Sequence, residues 1–156
     1  MRSLNRVRFV SIGAAFAVCL VAATMALAHS GAQGIVKQRM DSMDAMGKAM
    51  KTVGEMLKGT AQFDATAIVE AMRSVSVHAD EIPGMFPEGS LSDPSEAREE
   101  IWSNWDRFTT LAEGLSTTAA RLADIAKDGD RKAVAGAFNA VGKTCSGCHE
   151  GFRLKK

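Results

Sequence analysis

The sequence contains no tyrosine, and all aromatic residues together make up only 6% of its 156 residues. Aromatic and β-branched residues favour strands, whereas Ala, Met, Lys and Glu, which are frequent here, favour helices. The composition therefore argues against a fold built on a sheet. Basic and acidic residues nearly balance, and neither forms a long block, so nothing in the charge pattern indicates a nucleic-acid partner.

Cysteine is also scarce, with three copies, and the first of them falls in an unusual segment. Residues 1–28 have a basic start, an apolar run from Phe9 to Ala23, and the small-residue ending Ala26-Leu27-Ala28. These features are typical of a secretory signal peptide. The apolar run of about 15 residues is shorter than the ~20 that a membrane-spanning helix needs. We predict cleavage after Ala28, with retention as an anchor as the alternative.

Cleavage would leave residues 29–156 as one exported domain that is not stably inserted in a membrane. It would remove three arginines and no acidic residue, so the formal net charge of +1 would become −2. It would also remove Cys19, leaving only Cys145 and Cys148. An even pair in an exported protein ordinarily predicts a disulfide, but the spacing of this pair indicates another use.

Apolar residues recur every three or four positions in four segments, which is the pattern of amphipathic helices. The first segment runs from Val36 to Lys58 and ends at Gly59. Asp64 is the predicted N-cap of the second, which fades at residues 81–83. The predicted apolar stripes are 36, 40, 43, 46, 50, 53 and 57 in the first helix and 65, 68, 69, 72, 75 and 79 in the second.

Residues 82–93 are dense in Pro, Gly and Ser and predict a long loop, with Met85 and Phe86 turned back onto the core. Asp93, followed by Pro94 and Glu96, predicts the start of a third helix, and Asp130 predicts the cap of a fourth. Four amphipathic helices with one long connection predict an all-α fold, an antiparallel four-helix bundle. The third helix would turn Ile101, Trp105, Phe108, Ala112, Leu115, Ala119, Leu122 and Ala126 inward, and the fourth Val134, Ala137, Phe138, Val141, Cys145, Cys148 and Phe152.

The chemistry of the chain is concentrated in Cys145-x-x-Cys148-His149. A redox dithiol of this spacing belongs in a thioredoxin-like fold with strands, and no strand is predicted. A structural zinc ion needs four ligands with tight spacing, and the only other histidines are His29 and His78. Zinc and dithiol chemistry therefore lack the partners that they require.

The sequence contains every residue that covalent haem attachment requires. Three residues apart on a helix, Cys145 and Cys148 project from one side, where each can form a thioether with a haem vinyl group. His149 follows directly, so that its ring can bind the iron as the proximal axial ligand. Cys-x-x-Cys-His is the attachment motif of c-type haem, and that attachment takes place outside the bacterial cytoplasm, in agreement with export. We predict one covalently bound haem c.

The position of this motif on the last helix resembles the class II c-type cytochromes, the cytochrome c-prime family. The resemblance runs from about Ile35 to Phe152, and includes the order of the helices and the ending Gly142-Lys-x-Cys-x-x-Cys-His-Glu-x-Phe-Arg153. Its other matching segments are Val36-Lys-Gln-Arg39, Lys58-Gly-Thr-Ala-Gln-Phe-Asp64, Met85-Phe-Pro-Glu-Gly-Ser90 and Ile101-Trp102.

The resemblance implies one of two iron sites. High-spin members of the family have only the histidine ligand and bind nitric oxide or carbon monoxide on the other face of the haem. Low-spin members bind a methionine there, four residues after the arginine of the first helix, and carry electrons. In this chain that arginine is Arg39, which makes Met43 the predicted distal ligand. Met40 is the alternative after a shift of register, and Met46, Met50 and Met56 are predicted as core or surface residues.

The resemblance also suggests roles for neighbouring residues. Arg39 is expected beside a haem propionate, since a guanidinium pairs well with a carboxylate. Arg153, four residues after His149, is expected to tune the imidazole. Trp102 or Trp105 is expected to pack near the porphyrin, with packing in the core as the alternative.

The first helix offers no histidine to the distal face, and Asp41 and Asp44 lie off its apolar stripe, so we do not expect an enzyme such as a peroxidase. The function predicted from the sequence is electron transfer in the periplasm, with redox proteins as partners and His149 and Met43 as axial ligands. The alternative is gas binding at an open distal face. Either a monomer or a homodimer is compatible with the sequence.

Overall fold

The structure is a computed structural model that describes residues 31–155, and within that range it is helical with no strand. The predicted signal peptide and its cleavage site lie outside the described residues. No helix within 31–155 combines the length and apolar character needed to cross a membrane. The elements are α1 (Gly34–Lys58), α2 (Ala65–Glu81), a 3₁₀ turn (Pro83–Met85), α3 (Glu100–Ser103), α4 (Trp105–Ala126) and α5 (Arg131–Phe152).

Local sequence signals set three of the helix ends. The Asp64 side chain accepts a hydrogen bond from the Ala67 backbone N–H, and Asp130 accepts from the first turn of α5, as predicted. Gly59 ends α1 with a φ of 81°, a left-handed conformation that residues with a side chain rarely adopt. These three predictions are confirmed.

The core lies between α2, α4 and α5, with α1 packed against α2. The predicted stripe of α2 is buried at Ile68, Met72, Val75 and Ala79. The loop of residues 82–99 contributes Met85 and Phe86 to the same core, as predicted. The long α helices and this apolar cluster confirm the four-helix bundle, in which α3 and α4 together take the place of the predicted third helix.

The predicted start of the third helix at Asp93 is wrong, because helix begins only at Glu100. The preceding backbone bonds to the end of α5 instead: the Arg98 N–H donates to the Phe152 carbonyl over 3.0 Å, and the Leu154 N–H donates to the Glu96 carbonyl over 2.8 Å. Ala97 and Arg153 form a bridge between these bonds. Groups engaged in this pairing cannot also form a first helical turn, so tertiary pairing overrides the capping signal.

The two tryptophans on either side of Asn104 differ in exposure. Asn104 has a φ of −128° and a ψ of 40°, which ends α3 before Trp105 begins α4. Trp105, predicted to face inward, is 36% exposed, although its ring still lies 5.5 Å from that of Phe108. Trp102 is half-buried, and its indole N–H donates to the Phe86 carbonyl over 3.0 Å. The prediction for Trp105 is therefore wrong.

Helices α1 and α5 run antiparallel, because each end of one is tied to the opposite end of the other. At the end of α1, Arg131 of α5 donates to the carbonyls of Met56 and Leu57 over 2.6 and 3.0 Å. At the start of α1, Arg39 binds the loop of residues 82–99, which is paired with the end of α5. The two helices that carry the predicted axial ligands are therefore fixed at both ends.

Candidate haem-binding site

The attachment motif lies in the last two turns of α5. Cys145 and Cys148 are half-buried free thiols, and both pack against the apolar core. Their spacing of three residues places them on the same side of the helix. His149 is next in the chain and is exposed, on the edge of that side. The structure thus brings together the three residues that the sequence predicts to bind haem.

The electrostatic surroundings keep these groups neutral. Burial raises the pKa of the Cys145 thiol. Burial also raises the pKa of Cys148, with a smaller contribution from Cys145, while nearby Arg107 acts in the opposite direction. Burial of part of the imidazole lowers the pKa of His149, and the positive charge of Arg153 lowers it further. A neutral imidazole has the free lone pair that a metal ligand needs.

An open depression of about 690 Å³ runs along α5 beside the motif. It is lined by residues between Phe138 and Glu150, and Cys145, Cys148 and His149 are not among them. Its lining residues are Phe138, Asn139, Gly142, Lys143, Ser146, Gly147 and Glu150.

The contact between Gly54 and Phe138 sets the register between α1 and α5. A Cβ atom added at Gly54 would lie 3.6 Å from Cζ of Phe138, an ordinary van der Waals distance. The aromatic ring therefore lies directly against the α1 backbone. This contact is near the end of α1 and the start of α5, on the side where Arg131 joins the two helices.

Counted from this contact, Met43 and His149 lie at the same level of the bundle. Met43 is eleven residues before Gly54 in α1, and His149 is eleven residues after Phe138 in α5. At a rise of 1.5 Å per residue, each is about 16 Å from the contact along its helix. Eleven residues are close to three full turns, so each also lies within about 20° of the contacting face of its helix. Met43 is half-buried and packs against the core cluster.

The other methionines of α1 do not share this position. Met46 and Met56 are buried in the core, at 6% and 8% exposure, as the core interpretation predicts. Met40 and Met50 are half-buried like Met43, but they lie about one and two turns away from it along the helix. By the same count, Met40 is level with Phe152 and Met50 with Gly142. Neither is level with His149.

Arg39 is buried at 4% exposure, off the predicted apolar stripe of α1, and its hydrogen bonds go to the loop of residues 82–99. Its Nε donates to the Met85 carbonyl over 2.8 Å, and Nη2 donates to the carbonyl and the hydroxyl of Ser90 over 2.9 and 2.7 Å. Nη1 reaches the Ser95 hydroxyl over 3.4 Å, and the guanidinium carbon lies 4.2 Å from the centre of the Phe86 ring. Burial lowers the pKa of Arg39. The propionate contact stays a prediction.

Arg153 lies one turn beyond His149, at the first residue after α5. Its Nε and Nη2 donate to the Glu96 carboxylate over 2.9 and 2.6 Å. It acts on His149 through its charge, which contributes to the lowered pKa of the imidazole. No local pattern in the sequence predicts the Glu96 contact or the serines around Arg39. The one available signal was an arginine on a helix otherwise rich in methionine.

The residues present fit a haem c group. Two free thiols on the apolar side of one helix suit two thioether links, and the adjacent neutral imidazole suits one axial position. Across residues 31–155, no cluster of three or more His, Cys, Asp and Glu side chains is arranged to hold a metal ion directly.

Comparison with known proteins agrees with this geometry. The family model described as Cytochrome C' matches residues 34–153. The chain is 37% identical over 126 residues to a cytochrome c-556 of Agrobacterium fabrum, covering 80% of this chain and 84% of that protein. The structure of cytochrome c' from Rhodopseudomonas palustris superposes with a TM-score of 0.74 at 27% identity, covering 80% and 99% of the two chains.

A second solved structure is a nitric oxide complex of a mutant cytochrome c prime from Alcaligenes xylosoxidans. It superposes with a TM-score of 0.71 at 27% identity, covering 78% of this chain and 94% of that one. The four-helix fold and the single covalently attached haem c are common to the matched family. Cys145 and Cys148 lie where that family carries its attachment motif, near the carboxyl end.

Proposed function

This chain belongs to the cytochrome c' family, and on that premise we propose that it is an electron carrier whose haem is bound by Cys145 and Cys148, with His149 and Met43 as axial ligands. The observation that supports this proposal is the common level of Met43 and His149, counted from the Gly54–Phe138 contact. The haem iron supplies the one-electron change. We propose no enzymatic activity.

Each residue has a defined part in this proposal. The two cysteines anchor the group to α5, and the His149 imidazole, held neutral, provides the proximal ligand. The Met43 thioether closes the opposite face and excludes small molecules from it. A neutral sulfur ligand favours the ferrous state and raises the potential relative to an open face. Retaining both ligands in both oxidation states keeps structural rearrangement small, which suits electron transfer.

Gas binding at an open distal face is the second candidate function. The comparisons as a whole favour it, because the matched family model and the matched structures are cytochromes c', two of them nitric oxide complexes. Under this proposal Met43 would cover the distal face without binding the iron, and nitric oxide or carbon monoxide would enter beside it. The two candidates share the haem, the cysteines and His149, and they differ at Met43.

The same proposal places the mature protein in the periplasm after cleavage at Ala28. Its partners there would be redox proteins that exchange single electrons with it. Either a monomer or a homodimer would leave the α5 motif available to the haem. Amino-terminal sequencing of the protein purified from a bacterial host would test the location, because the periplasmic form should begin at His29.

Absorption spectroscopy of the haem-loaded protein tests the choice of ligand. Ligation by Met43 should give a weak near-infrared band from sulfur–iron charge transfer in the ferric protein, and sharp, split visible bands in the ferrous protein. Met43→Ala should abolish the near-infrared band and give a high-spin spectrum that shifts at once on addition of carbon monoxide. A wild-type spectrum that is already high-spin would instead support gas binding.

Two neighbouring methionines provide matched controls. Met40→Ala and Met50→Ala remove the same side chain from the same helix, one turn before and two turns after Met43. Both variants should keep the near-infrared band. Loss of the band in Met40→Ala alone would show that the helix is shifted by one turn and that Met40 is the ligand.

A further inference from the structure

Residues 83–98, which we call the strap, cross the bundle one turn outside both predicted axial ligands. On one side the strap binds Arg39, four residues before Met43. On the other side it pairs with Arg153, four residues after His149. Since Met43 and His149 are level, the two points that the strap joins are level as well.

The α1 side of the strap is a polar cage around a buried charge. Arg39 makes four hydrogen bonds with the strap, at distances of 2.7 to 3.4 Å, and its guanidinium lies over the Phe86 ring. Phe86 is itself fixed, because its carbonyl accepts the indole N–H of Trp102 and its ring packs edge-on against Phe108 at 4.9 Å. A buried charge held this way has a single favourable position, since other positions would leave it unpaired.

The α5 side of the strap is fixed by both backbone and side chain. Two backbone hydrogen bonds, of 3.0 and 2.8 Å, join residues 96 and 98 to residues 152 and 154. The Glu96 carboxylate accepts two further hydrogen bonds from Arg153. The strap is therefore attached to α1 through a side chain and to α5 mainly through the main chain.

We propose that the strap sets the separation of α1 and α5 at the level of the iron, with Arg39 as the positioning residue for Met43. This inference rests on the ligation by Met43 proposed above. A thioether binds iron over a short distance, so a small outward movement of α1 breaks the bond without unfolding the helix. Arg39 then acts on the distal ligand through the strap, without touching the iron.

The test compares two arginines that have similar tasks at opposite ends of α1. Arg39→Lys keeps the charge but loses the fork that reaches Met85, Ser90 and Ser95 at once. Arg131→Lys makes the same change where the far end of α1 is tied, about 16 Å or more from Met43. Each variant is prepared with haem. The near-infrared band, the rate of carbon monoxide binding to the ferrous protein and hydrogen exchange of residues 34–43 are measured.

Arg39→Lys should weaken the near-infrared band by about half or more, accelerate carbon monoxide binding about tenfold and accelerate exchange in residues 34–43. Arg131→Lys should leave the band and the carbon monoxide rate unchanged. If Arg39→Lys does not retain its fold, Ser90→Ala, which removes one acceptor of Arg39, should change the same three quantities in the same direction by smaller amounts.

The possible failures are distinguishable. A low-spin wild type whose spectrum and carbon monoxide rate are unchanged in Arg39→Lys and Ser90→Ala would overturn the role of the strap and leave Met43 as the ligand. Equal spectral changes in Arg39→Lys and Arg131→Lys would also overturn it, since general loosening of α1 would then suffice. A high-spin wild type would overturn the ligation by Met43, and the exchange data alone would then decide whether the strap holds α1.

Discussion

The two ends of the α1–α5 pair are held together by different kinds of contact. One end, where α1 finishes and α5 begins, we call the closed end. There Gly54 lets the Phe138 ring lie against the α1 backbone, and Arg131 donates to carbonyls at the end of α1. At the end of the predicted axial ligands, the two helices are joined through the strap, and Arg39 is buried within it. Close packing can fix one end of a helix pair, whereas a site that must admit a large cofactor needs a contact that passes around it.

The buried arginine should matter more to stability than its counterpart. Arg39→Ala leaves carbonyl and hydroxyl acceptors in the strap without their donor, so we expect the free energy of unfolding to fall by about 3 kcal/mol. Arg131→Ala removes an exposed side chain that donates to two carbonyls, and should cost about 1 kcal/mol. Urea unfolding followed by circular dichroism measures both. Equal losses would contradict the distinction between the two ends.

The closed end can be broken by adding volume. Gly54→Leu places a branched side chain where the Phe138 ring lies, so α1 and α5 must separate and the free energy of unfolding should fall by about 2 kcal/mol. Gly136→Leu is the matched control, because a Cβ at Gly136 has no neighbour within 4 Å among the described residues. That control should gain about 0.5–1 kcal/mol from helix propensity.

A single acceptor in the strap should have a smaller effect. Ser90→Ala removes one of the two Ser90 oxygens that bind Nη2 of Arg39, and should cost about 1 kcal/mol because the carbonyl remains. Ser92→Ala, in the exposed part of the same loop, should change the free energy of unfolding by less than about 0.5 kcal/mol. Thermal unfolding of the two variants in parallel would detect the difference, and an equal shift would argue against the cage around Arg39.

The smallest substitution at the closed end tests the distance between the Gly54 backbone and the Phe138 ring. Gly54→Ala places a methyl group 3.6 Å from Phe138, which is a normal contact, and it also removes a glycine from a helix. The variant should therefore be neutral or more stable by up to about 1 kcal/mol, opposite in sign to Gly54→Leu. A loss of stability in Gly54→Ala would mean that the two helices are closer than the Gly54–Phe138 distance indicates.

Much of the fold could be predicted from the sequence because its signals are local. The periodicity of apolar residues located the helices, and Asp64 and Asp130 capped them as predicted, since a cap depends only on the next three residues. The same kind of signal failed at Asp93, where residues 96–98 instead pair with residues more than fifty positions later. Trp105 was also misplaced: it is the first residue of α4 and is exposed, although the predicted stripe is buried on either side of it at Ile101 and Phe108.

The residues of the candidate site also divide into those that a local pattern predicts and those that it does not. Cys145, Cys148 and His149 were predictable because they lie within five consecutive residues of one helix, so that their relation is local. Met43 was predicted from the family resemblance. The Gly54–Phe138 contact supports that prediction, because counting from it along the two helices puts Met43 level with His149. The burial of Arg39 in the strap was not predictable, since its partners lie 46 to 56 residues away along the chain.

The sequence by itself determined that this protein is helical, where most helices begin and end, and which residues can attach a haem. Those properties depend on interactions between residues within a turn or two of each other. Only the tertiary structure decided that the loop before α3 pairs with the end of α5, that Arg39 is enclosed by it, and that Met43 is level with His149. Distances between helices arise from side-chain packing and from hydrogen bonds between distant segments, which no local pattern specifies.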